Sequence, residues 1–182
     1  MAFLNRARVA TAVGLLANTL IVCARPVAAQ APLEAEVKAV FLFNFAKYVD
    51  LPSAPKGSSQ AIRMCVPANA GFLAVLREAV RDEIVNGRPL TASGLDGLDA
   101  ARGCDILYVG DAVSRDAAAW IEAVRGRQVL TVGDGKLVDG LVIAFVRDQD
   151  RVRFDISRSA ASKQNLSISS RLLGLARRVD QP

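Results

Sequence analysis

The stretch Cys104-Asp105-Ile106-Leu107-Tyr108-Val109 constrains the fold most. From residue 105 to 109 it is a short, nearly continuous apolar run, as expected of a central strand buried on both faces. Such a strand needs layers packed above and below it. Comparable short runs occupy residues 61–66 and 128–132, and helical spacing fills the gaps between them. Phe72, Val75, Leu76 and Val80 make an apolar stripe over 70–81. Trp120, Ile121 and Val124 do the same over 115–125, where Ser114 stands at the N-cap position.

The later part reads differently. Residues 141–146 are apolar, 152–156 alternate apolar with charged, and the two flank Arg147-Asp148-Gln149-Asp150-Arg151, which is hairpin spacing with turn-forming aspartates. Residues 84–90 read as a short extended piece, and helical patches fall around 158–163 and 168–178. The expectation is therefore an α/β fold. It is a single three-layer domain with a mixed sheet, parallel in its first half and closed by an antiparallel hairpin, flanked by helices. No internal repeat or low-complexity tract interrupts it.

The first 29 residues stand apart. Arg6 and Arg8 precede an apolar run from Val9 to Ala24, then Arg25-Pro26 and the small residues Val27-Ala28-Ala29. This order predicts a secretory signal peptide cleaved after Ala29, leaving a domain over 30–182. A retained membrane helix is the alternative, but the run is short and carries Thr11, Asn18 and Thr19. A lipoprotein site at Cys23 is a poorer fit, because Val22 before it is large. Export implies the periplasm and an oxidising environment.

Cleavage also changes the charge. The chain carries +5 overall, but Arg6, Arg8 and Arg25 leave with the signal, so the mature chain is near +2. The remaining basic residues look scattered along the sequence, so nucleic acid is not an expected partner. Arg177-Arg178 reads as a cationic helix end.

The chain has no histidine. That removes Ser-His-Asp and Cys-His catalysis and histidine zinc sites, and it argues against a hydrolase of common design, though not against enzymes built on carboxylates or lysine. Gly133-Asp134-Gly135-Lys136 lacks the Ser or Thr after lysine that a P-loop requires. Asp148 and Asp150 fall short of a calcium loop. No metal or cofactor is expected.

Cys65 and Cys104 are the only cysteines beyond the export segment. In an oxidising compartment an even pair is most simply a disulfide. The alternative is two buried free thiols in neighbouring strands. No CxxC spacing suggests redox catalysis.

Several blocks together resemble a known family. They are the helix Glu36-Val37-Lys38-Ala39-Val40-Phe41-Leu42-Phe43-Asn44-Phe45-Ala46-Lys47-Tyr48-Val49, the cysteine strand 61–66, and the run from Arg102 to Val109. Further blocks span 129–134, 139–145 and 151–157, and the final helix covers 168–176. This pattern resembles the YfiR-like family of periplasmic regulators. A departure is Leu51-Pro52, where the family has a tryptophan before the proline.

The resemblance implies a non-enzymatic regulatory binding protein. Its partner would be the periplasmic domain of a membrane signalling protein, above all a diguanylate cyclase. Direct contact would restrain cyclic di-GMP production and biofilm formation. It also implies self-association into a homodimer. The family's best-known member has a second disulfide near the hairpin, for which this chain has no cysteines. The alternative is a periplasmic small-molecule sensor, or an accessory protein for another receptor such as a histidine kinase.

Two sets of residues are candidates for these roles. Phe43, Phe145, Arg153, Phe154, Asp155 and Ser157 would form a partner or dimer interface, with core packing the competing reading for the phenylalanines. On the hairpin, Asp155 alternates with the rings and is expected to be solvated on the opposite face. Asn69, Asp111 and Asp134 sit in loops after parallel strands, where α/β sheets bind small ligands.

Overall fold

The computed structural model describes residues 30–52, 60–67, 70–111 and 114–180. The export segment 1–29, with Cys23, and the candidate ligand residue Asn69 lie outside the described residues.

Among the described residues, ten strands and five α-helices follow in the order α1 (Gln30–Tyr48), β1 (Val49–Asp50), β2 (Ile62–Pro67), α2 (Ala70–Ala79), β3 (Ile84–Val85), β4 (Arg88–Leu95), β5 (Ile106–Asp111), α3 (Arg115–Ala123), β6 (Leu130–Asp134), β7 (Ile143–Asp148), β8 (Arg151–Ser157), α4 (Arg158–Lys163), β9 (Ser167–Ile168), α5 (Ser170–Leu175) and β10 (Arg178–Asp180). A short 3-10 helix, Leu98–Gly103, precedes β5. The main sheet has the order β10-β8-β7-β6-β5-β2-β4-β3. Strands β4, β2, β5, β6 and β7 are mutually parallel, and β7–β8 is the antiparallel hairpin. The mixed sheet flanked by helices is the architecture the sequence pattern predicts.

The periodicities have visible causes. The β5 side chains Ile106, Leu107 and Tyr108 are all buried, because both faces of the strand are covered. Ile106 and Tyr108 join the large core with α1 and α2. Leu107 faces Val124 and the disulfide on the other side. Ser114 caps α3 by accepting from the Ala117 amide at 3.1 Å. The β7–β8 turn places Gln149 and Asp150 at φ 47° and 60°, the conformation a two-residue hairpin loop requires.

Helix α1 is apolar on most of its circumference, which marks a helix covered on several sides. It packs against α2, α5 and β8. Phe45 stacks on Phe145 with centroids 5.7 Å apart and meets Phe154 edge-on at 5.2 Å. Phe41 closes the same cluster.

Three local readings need correction. Residues 84–90 are not one extended piece: Asn86-Gly87 forms a tight turn, with φ 52° and 75°, between β3 and β4. Strand β4 then continues to Leu95 and pairs in parallel with β2 from Leu90 onward. The terminal helix is likewise shorter than 168–178. It ends at Leu175, and residues 178–180 form β10 alongside β8. Arg177 is therefore not at a cationic helix end. It reaches into the side of the sheet.

Candidate functional site

Helices occupy both faces of the sheet, and charged hollows open at the two ends of its parallel strands.

At the C-terminal end, β6 finishes at Asp134 and β5 brings Tyr108 beneath it. The buried Tyr108 hydroxyl donates to Asp134 Oδ2 at 2.7 Å. Lys38, from α1, reaches the same oxygen at 3.0 Å and Glu34 at 2.7 Å. Arg147, from the end of β7, lies 3.6 Å from Glu34. Five charged or phenolic side chains from four elements thus form one chain of contacts. Burial, and then the Asp134 carboxylate, push the Tyr108 phenol well above its ordinary value. The hydrogen bond from Lys38 holds Glu34 below the usual carboxylate value. Asp134 Oδ1 is buried and has no hydrogen-bond partner among the described residues.

Two adjoining hollows open here between α1 and the β7–β8 hairpin. One, of about 310 Å³, is lined by Lys38, Asp134, Gly135 and Phe145. The other, of about 370 Å³, is lined by Leu33, Val37, Phe41 and Val152, with Arg147 and Arg151 at its rim. Leu33 is 61% exposed and Val40, on the outer side of the same helix, 52%.

At the N-terminal end, four arginines border a polar recess of about 700 Å³: Arg63 of β2, Arg88 of β4, Arg102 of the 3-10 helix and Arg127 before β6. Asp105 also lines it. The Cys65–Cys104 disulfide lies directly behind, joining β2 to the entry of β5 with Cα atoms 6.0 Å apart. Both cysteines are buried.

The structure distributes the expected interface residues unevenly. Arg153 is exposed and Phe43 half-buried, with Lys47 Nζ 3.6 Å over its ring. Phe145 and Phe154 belong to the core, the competing reading for both. Asp155 is not solvated as expected, Ser157 is buried as well, and β10 is the reason. Asp155 is 4% exposed and receives a bidentate pair from Arg177. Ser157 caps α4 through the Ala160 amide at 3.2 Å and donates to Asp180 at 2.7 Å. Of the loop residues, Asp134 lies at the centre of the network above. Asp111 ends β5, and its side chain lies outside the described ones.

Sequence reasoning missed Glu34, Lys38, Tyr108 and Arg147. The Glu34–Lys38 spacing of four on a helix was a usable signal. Nothing local marks Tyr108, which reads as one more core residue.

This arrangement defines a class: a mixed-sheet α/β protein whose faces are closed by helices and whose exposed chemistry lies at the strand ends. The chain belongs to the YfiR/HmsC-like family, whose model matches residues 35–177. No curated protein matches. Among solved structures, the chain is similar to the crystal structure of a conserved domain protein from Vibrio cholerae O1 biovar El Tor str. N16961. The TM-score is 0.53 at 12% identity, over 80% of this chain and 60% of that one. This likeness concerns the fold alone, and the chain spans about 60% of the length of the chain it resembles.

Proposed function

We propose that this protein is an exported periplasmic regulator that restrains a membrane-anchored diguanylate cyclase by direct contact. Membership of the YfiR/HmsC-like family supports the regulatory role. The export-type start of the sequence supports the compartment, and the disulfide suits it.

The single observation that carries the contact is the groove between α1 and the β7–β8 hairpin. Its floor is apolar, its rim is charged, and Leu33 stands exposed at its mouth. An apolar centre within a polar rim is the anatomy of a protein interface. The occupant is a segment of the cyclase's periplasmic domain, anchored by an apolar side chain in the slot beside Val37 and Phe41. Arg147 and Arg151 then favour an acidic residue next to that anchor.

The test is capture of the cyclase's periplasmic domain, with cyclic di-GMP measured in the same strains. Deleting the gene should raise cyclic di-GMP, and the wild-type protein should retain the domain. Leu33→Glu and Val40→Glu change exposed positions, so folding should survive while capture by the Leu33 variant fails. Unchanged cyclic di-GMP on deletion, or undiminished capture by Leu33→Glu, would refute the reading.

A second reading, a small-molecule sensor, draws support from the unpaired Asp134 Oδ1 beside the 310 Å³ hollow. A ligand with an N–H or O–H group would satisfy that oxygen. A thermal-shift screen in which Asp134→Asn abolishes a metabolite's stabilisation would favour it over the cyclase reading.

A further inference from the structure

Arg63, Arg88, Arg102 and Arg127 are far apart in sequence, and each comes from a different element. The fold brings them to one recess at the N-terminal ends of the parallel strands. We infer that this recess binds a small molecule bearing two or more oxyanion groups, phosphate or carboxylate. The inference is independent of the cyclase reading, since it concerns the opposite end of the sheet.

The recess is organised before any ligand arrives. Arg88 is fixed by three main-chain carbonyls: Nε donates to Gln60 at 2.8 Å, Nη1 to Pro52 at 2.8 Å and Nη2 to Ala61 at 3.3 Å. Its side chain is only 13% exposed and lies 3.6 Å from Asp105. Asp105 also accepts from the Arg63 amide at 2.7 Å. This carboxylate is therefore already engaged with Arg88, and it leaves Arg63 and Arg127 without a counter-charge among the described residues.

Arg102 has one ion pair, with the exposed Asp99 at 3.5 Å. The Arg63 and Arg127 side chains have no ion pair or hydrogen bond among the described residues. Arg63 also lies against Gly103, where an added Cβ would sit 3.0 Å from Nη1. The bare glycine gives the guanidinium room to lie over the recess floor.

Grouped guanidinium groups repel one another unless an anion is shared between them, and their planar forks match phosphate and carboxylate oxygens. A recess concentrates that field more than a flat surface does. The volume lies in the range of small-ligand sites and is large for a lone ion. Hence a multiply charged molecule fits best.

The experiment is titration calorimetry of the full mature protein with pyrophosphate and with citrate, at matched ionic strength against chloride. Saturable binding of either supports the proposal, and whichever binds tighter assigns the phosphate or the carboxylate class. The double variant Arg63→Ala, Arg127→Ala should melt like wild type and bind at least tenfold more weakly. The Arg147→Ala control, at the other end of the sheet, should bind normally. No saturable heat with either anion, or equal affinity in the double variant, would overturn the site.

Discussion

Arg177 holds Asp155 in a fork, with Nε 2.9 Å from Oδ1 and Nη2 2.6 Å from Oδ2. The carboxylate sits in the middle of β8, where hairpin alternation alone would leave it facing water. Strand β10 covers that side, and Arg177, immediately before it, supplies the counter-charge. Removing one partner of a covered pair strands the other, whereas removing both need not. Arg177→Ala should therefore lower the thermal midpoint clearly. Arg177→Leu combined with Asp155→Leu should recover part of the loss. Differential scanning calorimetry of the three variants checks this, and equal melting of Arg177→Ala and wild type would contradict it.

Tyr108 should make the protein sensitive to alkali. Its phenol is raised in the folded state, by burial first and by Asp134 next. The unfolded phenol titrates near 10. The stabilisation linked to this group is therefore complete below about pH 10 and is lost as pH rises further. Wild type should lose stability above that point more steeply than Tyr108→Phe. At neutral pH, Tyr108→Phe should cost roughly 1–3 kcal/mol, because Asp134 loses a buried donor. Urea unfolding between pH 7 and 11 measures both effects.

The disulfide closes a loop with a sequence separation of 39. Chain-entropy reasoning assigns such a loop roughly 4 kcal/mol, and Cys65→Ser should cost roughly 2–5 kcal/mol. Alkylation of periplasmic protein without reduction, read by mass spectrometry, should find no free thiol at either position.

Gly140 has φ 79°, and a Cβ there would lie 2.6 Å from Ile121 Cγ2. Its carbonyl accepts from Thr131 Oγ1 at 2.7 Å and from Gln164 Nε2 at 2.8 Å. Gly140→Ala combines a strained backbone with a clash against a buried side chain. It should cost more than about 1 kcal/mol, measured by denaturant midpoint. Gly126→Ala, with φ 70° but open space around it, should cost less.

The sequence carried the layered architecture because each central strand repeats the same statement: apolar on both faces, therefore covered on both. It carried the hairpin because turn-forming aspartates stand between two strand-like runs, and Asp150 is a residue that tolerates positive φ. The Asn86-Gly87 turn was equally legible, yet the short flanking runs hid it. Strand β10 was not legible. Arg178-Val179-Asp180 has no strand-like pattern and is recruited by the free edge of β8. The Asp134 network and the arginine recess were invisible for a different reason. Apart from the Glu34–Lys38 pair, their members are more than ten residues apart and meet only once the strands are stacked in register. Thus a basic population that looks dilute in one dimension becomes dense at one end of the sheet.

Helices cover much of both faces of the slab, and its two strand-end rims differ in character. One rim offers a greasy slot edged with mixed charge, the other a positive bowl. They lie at opposite ends of the sheet. On the two readings proposed above, the macromolecule and the soluble anion contact different rims and do not compete for the same residues.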